Sequence, residues 1–138
     1  MWITKNAPRE WEYGEQQDIM NVELANALNK LKPGEDPPFL IVDLREEHER
    51  DYVDLPKLTK NKAKMPRVNI SLEDLHMGQY PDKLPKDKYI VLMCGRGLLS
   101  GRAADFLKRN GYSVKILLGG IETLDNLLEL TLDDPYLR

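Results

Sequence analysis

One run of apolar residues constrains the fold of this chain more than any other feature of the sequence. Tyr89, Ile90, Val91, Leu92 and Met93 form an unbroken apolar segment, and a cysteine with a glycine-containing loop follows it directly. A short continuous run without polar alternation is typical of a strand that is buried on both faces of a parallel sheet. We therefore expect an α/β fold in which this strand is buried.

Weaker patterns elsewhere predict strands that alternate with helices. The predicted strands are 18–20, 39–42, 67–70, 89–93 and 113–117. The predicted helices are 22–31, 45–52, a short one opened by Ser71, 99–107, and a last one from Ile121. Asn110-Gly111 is predicted to end the helix over 99–107, because glycine accepts the left-handed conformation there. The lysine-rich segment 53–66 has no clear periodicity and is predicted to be a solvated loop. This alternation predicts an α/β fold with a mainly parallel central sheet of about five strands and helices on both faces.

Length and composition favour one intracellular domain. The chain has 138 residues, and we divide it into an N-terminal arm (1–17), a domain (18–130) and a C-terminal tail (131–138). The single cysteine excludes an internal disulfide, and no apolar stretch has the length of a signal peptide or a membrane span. We expect a cytoplasmic protein without a membrane partner. Its net charge of −3 argues against nucleic acid as a partner.

The chemistry is expected at Cys94, which ends the strongest strand. Gly95 and Gly97 permit a loop whose backbone amides point inward, and a helix follows whose first turn carries a positive partial charge. Both features favour thiolate over thiol and would lower the pKa of Cys94 below the ~8.5 of a free cysteine. Arg96 is the fixed cation inside this loop. A buried, inert cysteine is the alternative, which the two glycines disfavour.

Several segments resemble the rhodanese-like family, in register and over about residues 18–128. In that family a catalytic cysteine opens a loop with glycine commonly at its fourth position, as at Gly97. Similar matches are Ser100 with Ala103-Ala104, Gly119-Gly120-Ile121, Ile41-Val42-Asp43-Leu44-Arg45-Glu46 and Val68-Asn69-Ile70. The chain is therefore identified as resembling single-domain sulfurtransferases.

The resemblance implies that Cys94 takes sulfane sulfur from a donor, carries it as a persulfide, and passes it to a nucleophilic acceptor. It implies substrate-binding roles for the residues around the outer sulfur, which are Gly95, Arg96, Gly97, Leu98, Leu99 and Ser100. Asp43 and Arg45 would support the loop through an ion pair or a backbone contact. The implied partners are a small-molecule or protein-bound sulfur donor and an acceptor protein or small thiol, with no cofactor and no metal.

One departure from the family bears on the donor. Many single-domain members carry Arg at the sixth loop position, where this chain has Leu99. The cationic charge of the loop then depends on Arg96, which suits a neutral, bulky or protein-bound sulfur source better than thiosulfate. A phosphatase of the Cys-x5-Arg type is disfavoured because position 100 is Ser.

The alternative interpretation of the sequence is that the domain is a non-enzymatic docking or regulatory module. Rhodanese folds can serve this role, and the basic segment Lys57–Lys64 offers a surface for an acidic protein or RNA. A solvated lysine run is the simpler interpretation of that segment, because no aromatic residue stands there to stack bases. His48 and His76 are interpreted as ordinary residues without a metal role.

Overall fold

The fold is described from a computed structural model, which describes residues 18–52, 54–80, 84–93 and 100–118. Its strands are β1 (Asp18–Met20), β2 (Phe39–Asp43), β3 (Arg67–Asn69), β4 (Tyr89–Met93) and β5 (Ser113–Leu118). Its helices are α1 (Asn21–Asn29), α2 (Glu47–Tyr52), α3 (Leu72–His76) and α4 (Ser100–Arg109). Each element matches a predicted one, with ends that differ by one or two residues.

The five described strands form one sheet in the order β1-β5-β4-β2-β3, and every neighbouring pair is parallel. This confirms the predicted fold class. β4 occupies the centre, with Leu92 opposite Val42 on one side and Ile116 on the other. All of its side chains are buried. Its position between two strands and two helical layers explains why its sequence is uniformly apolar.

The alternation of side chains along the strands divides the core into two layers. Ile90 and Leu92 pack with Leu107 of α4 and Leu75 of α3. The residues of β4 that point the other way are Tyr89, Val91 and Met93, and they pack with apolar residues of α1. Helices therefore lie on both faces of the sheet, as right-handed crossovers between parallel strands require.

Local signals fix the ends of two helices. Ser71 caps α3, because its side-chain oxygen accepts a hydrogen bond from the amide of Asp74 at 3.1 Å. After α4 the chain turns at Gly111, which has φ of +89°. There the amide of Tyr112 donates to the carbonyl of Leu107 at 3.1 Å, and that of Gly111 donates to Lys108. This left-handed closure favours glycine, as the sequence predicted.

The segment predicted to be a solvated loop has no helix or strand over its described residues 54–66, but it is only partly solvated. The chain there forms a small hairpin in which Thr59 donates to the carbonyl of Ala63 at 2.8 Å and Met65 donates to that of Lys57 at 2.9 Å. Thr59, Ala63 and Met65 are buried, with Thr59 only 2% exposed. Ala63 and Met65 join the same core layer as α1. The sequence did not predict this packing, because each of these three buried residues stands next to a lysine in the chain.

Other predicted segments lie outside the described residues. These are the arm 1–17, the last helix from Ile121 and the tail 131–138, so the domain limits of 18–130 stay predictions. Among the described helices, none has both the length and the apolar character needed to cross a bilayer.

Candidate functional site

The carboxyl ends of three strands are tied together at one edge of the sheet. Beyond the end of β2, the amide of Leu44 donates to the carbonyl of Met93, the last residue of β4, at 2.9 Å. The amide of Ile70, which follows β3, donates to the carbonyl of Asp43 at 3.1 Å. Parallel α/β sheets collect their ligands at this edge. Its centre is the end of β4, immediately before Cys94 in the chain.

The structure does not test the predicted sulfur-binding loop. Cys94, Gly95, Arg96, Gly97, Leu98 and Leu99 lie outside the described residues, and Ser100 is described only as the first residue of α4. The roles given to these residues stay predictions. What the structure does describe is the strand before the loop and the helix after it.

Helix α4 is held firmly against the sheet. Its buried residues Ala103, Ala104 and Leu107 are each 0% exposed and pack on the face of β4 that carries Ile90 and Leu92. The small alanines let the start of the helix lie close to the strand. The first turn carries no acidic residue, so no carboxylate offsets the positive end of the helix dipole. The start of α4, which follows the loop, therefore favours an anion near it.

Asp43 and Arg45 form a buried ion pair at the end of β2. Arg45 donates from Nε to Oδ1 of Asp43 at 3.0 Å and from Nη2 to Oδ2 at 2.9 Å, which is a two-point contact. The backbone amide of Arg45 also donates to Oδ1 at 2.9 Å. The side chains are 0% and 1% exposed, so water screens neither charge. The pair ties the backbone directly after β2 to the end of that strand.

The same arginine organises the start of α2. Its Nη1 donates to the carbonyl of Glu49 at 3.4 Å, and its own carbonyl accepts a hydrogen bond from Nη1 of Arg50. Guanidinium N–H groups thereby supply donors to backbone carbonyls in and before this short helix. The end of β2 and the helix after it become one unit.

Sequence reasoning missed two further members of this network, Asp54 and Arg67. Nη2 of Arg45 reaches Oδ1 of Asp54 at 3.2 Å, and Nη1 of Arg67 contacts the same oxygen and also lies 3.7 Å from Oδ2 of Asp43. Two carboxylates thus face two guanidinium groups. The signal was weak because Asp54 stands in the segment predicted to be a loop, and the register of β2 with β3 brings Arg67 close.

The charge network changes the titration of Asp54. Partial burial raises the pKa of this carboxyl group, but hydrogen bonds from Arg67 and the Leu55 amide and the charge of Arg67 outweigh burial. The net pKa of Asp54 lies below its ordinary value of 3.8. The carboxylate is therefore ionised at neutral pH.

Glu46, His48 and Glu49 form a second cluster, on the surface of α2. One ligand atom from each lies within 4.8 Å of the others, which sequence reasoning did not consider when it gave His48 no metal role. Nδ1 of His48 is 3.3 Å from Oε2 of Glu46, and both side chains are at least 75% exposed. Because water competes at such exposed positions, we assign no ion to the cluster.

Comparison with known proteins decides the family. The model of the rhodanese-like domain matches residues 23–126, which is most of the chain. The chain belongs to the rhodanese-like domain family. This confirms the resemblance seen in the sequence, and the matched range includes the predicted loop 94–100. No curated protein sequence matches the chain.

Solved structures agree with this assignment. A single-domain sulfurtransferase of Saccharomyces cerevisiae, RDL2, is 19% identical with a TM-score of 0.59, covering 81% of this chain and 90% of that one. An NAD-dependent persulfide reductase from A. fulgidus is 28% identical with a TM-score of 0.53 and covers 81% of this chain. Bacillus anthracis CoADR-RHD is 23% identical with a TM-score of 0.57 and covers 83%.

The length of these relatives differs. The rhodanese-like chain spans 16% of the persulfide reductase and 17% of CoADR-RHD, whereas it spans nearly all of the yeast protein. The identities to the yeast and Bacillus proteins show a shared fold alone. The family assignment depends on the match over residues 23–126, and the neighbours include a sulfurtransferase and a persulfide reductase.

The buried pair predicts a large effect of removing one charge. Arg45→Met leaves the carboxylate of Asp43 buried without its two-point partner, so the free energy of unfolding should fall by about 3–5 kcal/mol. Urea denaturation followed by circular dichroism measures this. The matched control is Asp36→Asn, which breaks the exposed contact of Asp36 with Lys88 and should cost less than about 1 kcal/mol. Equal costs for the two variants would contradict the account.

The lowered pKa of Asp54 predicts a pH-dependent contribution to stability. A carboxyl group with a depressed folded-state pKa stabilises the fold above its unfolded-state value and loses that contribution as the pH falls through its folded value. The stability difference between the wild type and Asp54→Asn should therefore be largest above pH 3.8 and shrink below it. Denaturation midpoints across the acid range measure it. A difference that grows on acidification would refute the assignment.

Proposed function

We propose that this rhodanese-like domain is a sulfurtransferase that carries sulfane sulfur as a persulfide on Cys94. The observation that supports it most is the family match over 23–126, which includes the cysteine directly after the central strand. The strand before the loop and the helix after it are in the described structure, and both are anchored in the core. The chain on both sides of the proposed thiol is therefore held in the core.

The proposed reaction has two steps. The thiolate of Cys94 attacks the outer sulfur of the donor, the bond between that sulfur and the rest of the donor breaks, and the leaving group takes its electron pair. Cys94 then holds a persulfide. A nucleophilic acceptor next attacks the outer sulfur and Cys94 leaves as thiolate, so the enzyme is regenerated.

The residues of the loop have distinct proposed roles. The backbone amides from Gly95 to Ser100 surround the outer sulfur and stabilise its negative charge. The start of α4, which has no acid in its first turn, adds to the same field. The side chain of Arg96 pairs with an anionic donor, while Leu98 and Leu99 make the wall of the loop apolar.

Asp43 and Arg45 are proposed as supporting residues that do not touch the substrate. Their ion pair fixes the backbone directly after β2, and the amide of Leu44, which stands between them in the chain, donates to the carbonyl of Met93 at 2.9 Å. Met93 is bonded to Cys94, so the pair acts on the thiol through the backbone. A positioning role of this kind accounts for a charged pair that is completely buried.

The nature of the loop restricts the proposed donor. Arg96 is its single cation and Leu99 stands where many relatives carry Arg. Thiosulfate carries two negative charges and gains most from a cationic loop. We infer that a bulky or protein-bound persulfide loads Cys94 faster than thiosulfate does, with a protein or a small thiol as acceptor. We propose that the protein acts in the cytoplasm.

Intact-protein mass spectrometry tests the function. The reduced protein is incubated separately with thiosulfate, mercaptopyruvate and a small-molecule persulfide, and part of each sample is then treated with cyanide. The mass should increase by one sulfur atom, most completely with the persulfide, and cyanide should remove the gain as thiocyanate. Arg96→Gln should slow loading by thiosulfate more than loading by the persulfide, because the doubly charged thiosulfate gains more from the guanidinium.

Two controls separate this outcome from nonspecific sulfuration. Cys94→Ser should gain no mass from any donor, and Arg109→Gln, which changes the same charge at the far end of α4, should load like the wild type. Failure of every donor to load the wild type, with Cys94 also slow to alkylate at neutral pH, would overturn the proposal. The domain would then be interpreted as a docking module.

A further inference from the structure

A pocket of about 350 Å³ lies at the edge of the sheet opposite the carboxyl ends of the strands. It opens where β2, β3 and β4 begin, next to the segment that follows α1. Residues that line it are Leu31, Lys32, Glu35, Phe39, Met65 and Lys88, among others. Its floor is apolar, because Leu31, Phe39 and Met65 are buried members of the core. The size is at the lower end of the range for binding pockets, ~300–1,000 Å³.

The hairpin over residues 57–65, called here the lysine hairpin, forms one wall of this pocket. Leu58 pairs with Lys64 across an antiparallel bridge, so their side chains lie on the same face. That face points outward, and Leu58 is 49% exposed. Among the described residues, three large apolar side chains are exposed, those of Val22, Leu58 and Met77. Leu58 thus stands as an apolar contact point among lysines.

The lysine hairpin is ordered by contacts on its inner side. Oγ1 of Thr59 accepts a hydrogen bond from the amide of Ala63 at 3.1 Å, and Lys62 takes the left-handed turn position with φ of 65°. Nδ2 of Asn61 donates to the carbonyl of Asn29 at 2.9 Å, which attaches the tip to the end of α1. A preformed surface loses less conformational entropy on binding.

Charge is concentrated on this surface, although the chain as a whole has a net charge of −3. Between positions 57 and 67 the sequence has four lysines and Arg67 and no acidic residue. The guanidinium of Arg67 is directed to Asp54, and Lys88 contacts Asp36. Lys64 on the hairpin and Lys32 across the pocket therefore provide exposed positive charge around the opening. Glu35 is the acidic residue of the lining.

We propose that this surface binds an acidic segment of a partner protein, with one apolar side chain of that segment in the pocket. The apolar floor matches such a side chain, and Leu58, which pairs with Lys64 of the lining, offers a second apolar contact outside the pocket. The lysines around the opening match flanking carboxylates. Nucleic acid fits less well, because Phe39 is the one aromatic ring of the lining and it is 0% exposed, so bases have no ring to stack on.

The position of the surface has a consequence for the sulfur chemistry. It lies at the amino ends of the strands, whereas Met93 ends β4 at the opposite edge. A bound partner would therefore leave that edge accessible. The inference does not depend on the proposed transfer of sulfur, since a domain that fails to form a persulfide still has this surface.

A peptide array followed by titration tests the proposal. Peptides of one central Leu, Ile, Met, Phe or Trp are flanked by Glu in one set and by Gln in a second, and a uridine oligonucleotide serves as a nucleic-acid probe. The Glu-flanked peptides should bind best, and fluorescence anisotropy of the best of them gives the Kd. Amide shifts in NMR spectra should map to the lysine hairpin and the pocket. Higher salt should weaken binding.

Matched variants make the test specific. The double change Lys62→Gln with Lys64→Gln should raise the Kd about fivefold, and Leu58→Ser should raise it by a similar factor. Glu35→Gln should lower the Kd, because it removes a negative charge from the pocket lining that repels an acidic peptide. The control is Lys108→Gln with Arg109→Gln, an equal charge change on α4 across the sheet, which should leave the Kd within about twofold.

Three results would overturn the proposal. These are equal affinity of Gln-flanked and Glu-flanked peptides, failure of every peptide of the array to bind, and wild-type affinity in the hairpin double variant. Tighter binding of the oligonucleotide than of every acidic peptide would assign the surface to nucleic acid instead. Circular dichroism of each variant establishes that a lost signal does not reflect unfolding.

Discussion

The buried contact between Asp43 and Arg45 is the interaction on which the arrangement of the carboxyl edge depends. A carboxylate with no exposed surface is tolerated only because a guanidinium and a backbone amide surround it. The pair fixes the backbone at the end of β2, where hydrogen bonds join Asp43 to Ile70 after β3 and Leu44 to Met93 at the end of β4. Asp54 and Arg67 extend the network toward solvent. Three strand ends and one helix start thus depend on a single ionic centre.

Parallel topology separates two kinds of surface in this small domain. The carboxyl edge collects the strand ends, the start of α4 and the predicted sulfur-binding loop. The amino edge collects the lysine hairpin and the pocket beneath it. The core between them is a sheet whose central strand is buried on both faces. The proposed sulfur chemistry and the proposed partner surface therefore lie at opposite edges.

Local sequence signals predicted much of the fold. The run Tyr89–Met93 and the turn at Gly111 were readable because each is specified by neighbouring residues. The lysine hairpin was not, since its order comes from the burial of Thr59 and from Asn61 reaching the end of α1, which is distant in sequence. The roles of Asp54 and Arg67 were hidden for the same reason. The site predicted at Cys94 came from its place after the central strand and from the family resemblance.

The central claim is that the buried pair positions the residue after Met93 for sulfur transfer. Arg45→Lys tests it most directly, because lysine keeps the charge but cannot make the two-point contact. The rate at which a persulfide donor loads Cys94 is measured by mass spectrometry on folded protein, beside Asp36→Asn as the control. The account predicts loading roughly tenfold slower in Arg45→Lys and unchanged in Asp36→Asn. Loading at the wild-type rate in Arg45→Lys would show that the pair stabilises the fold without positioning the thiol.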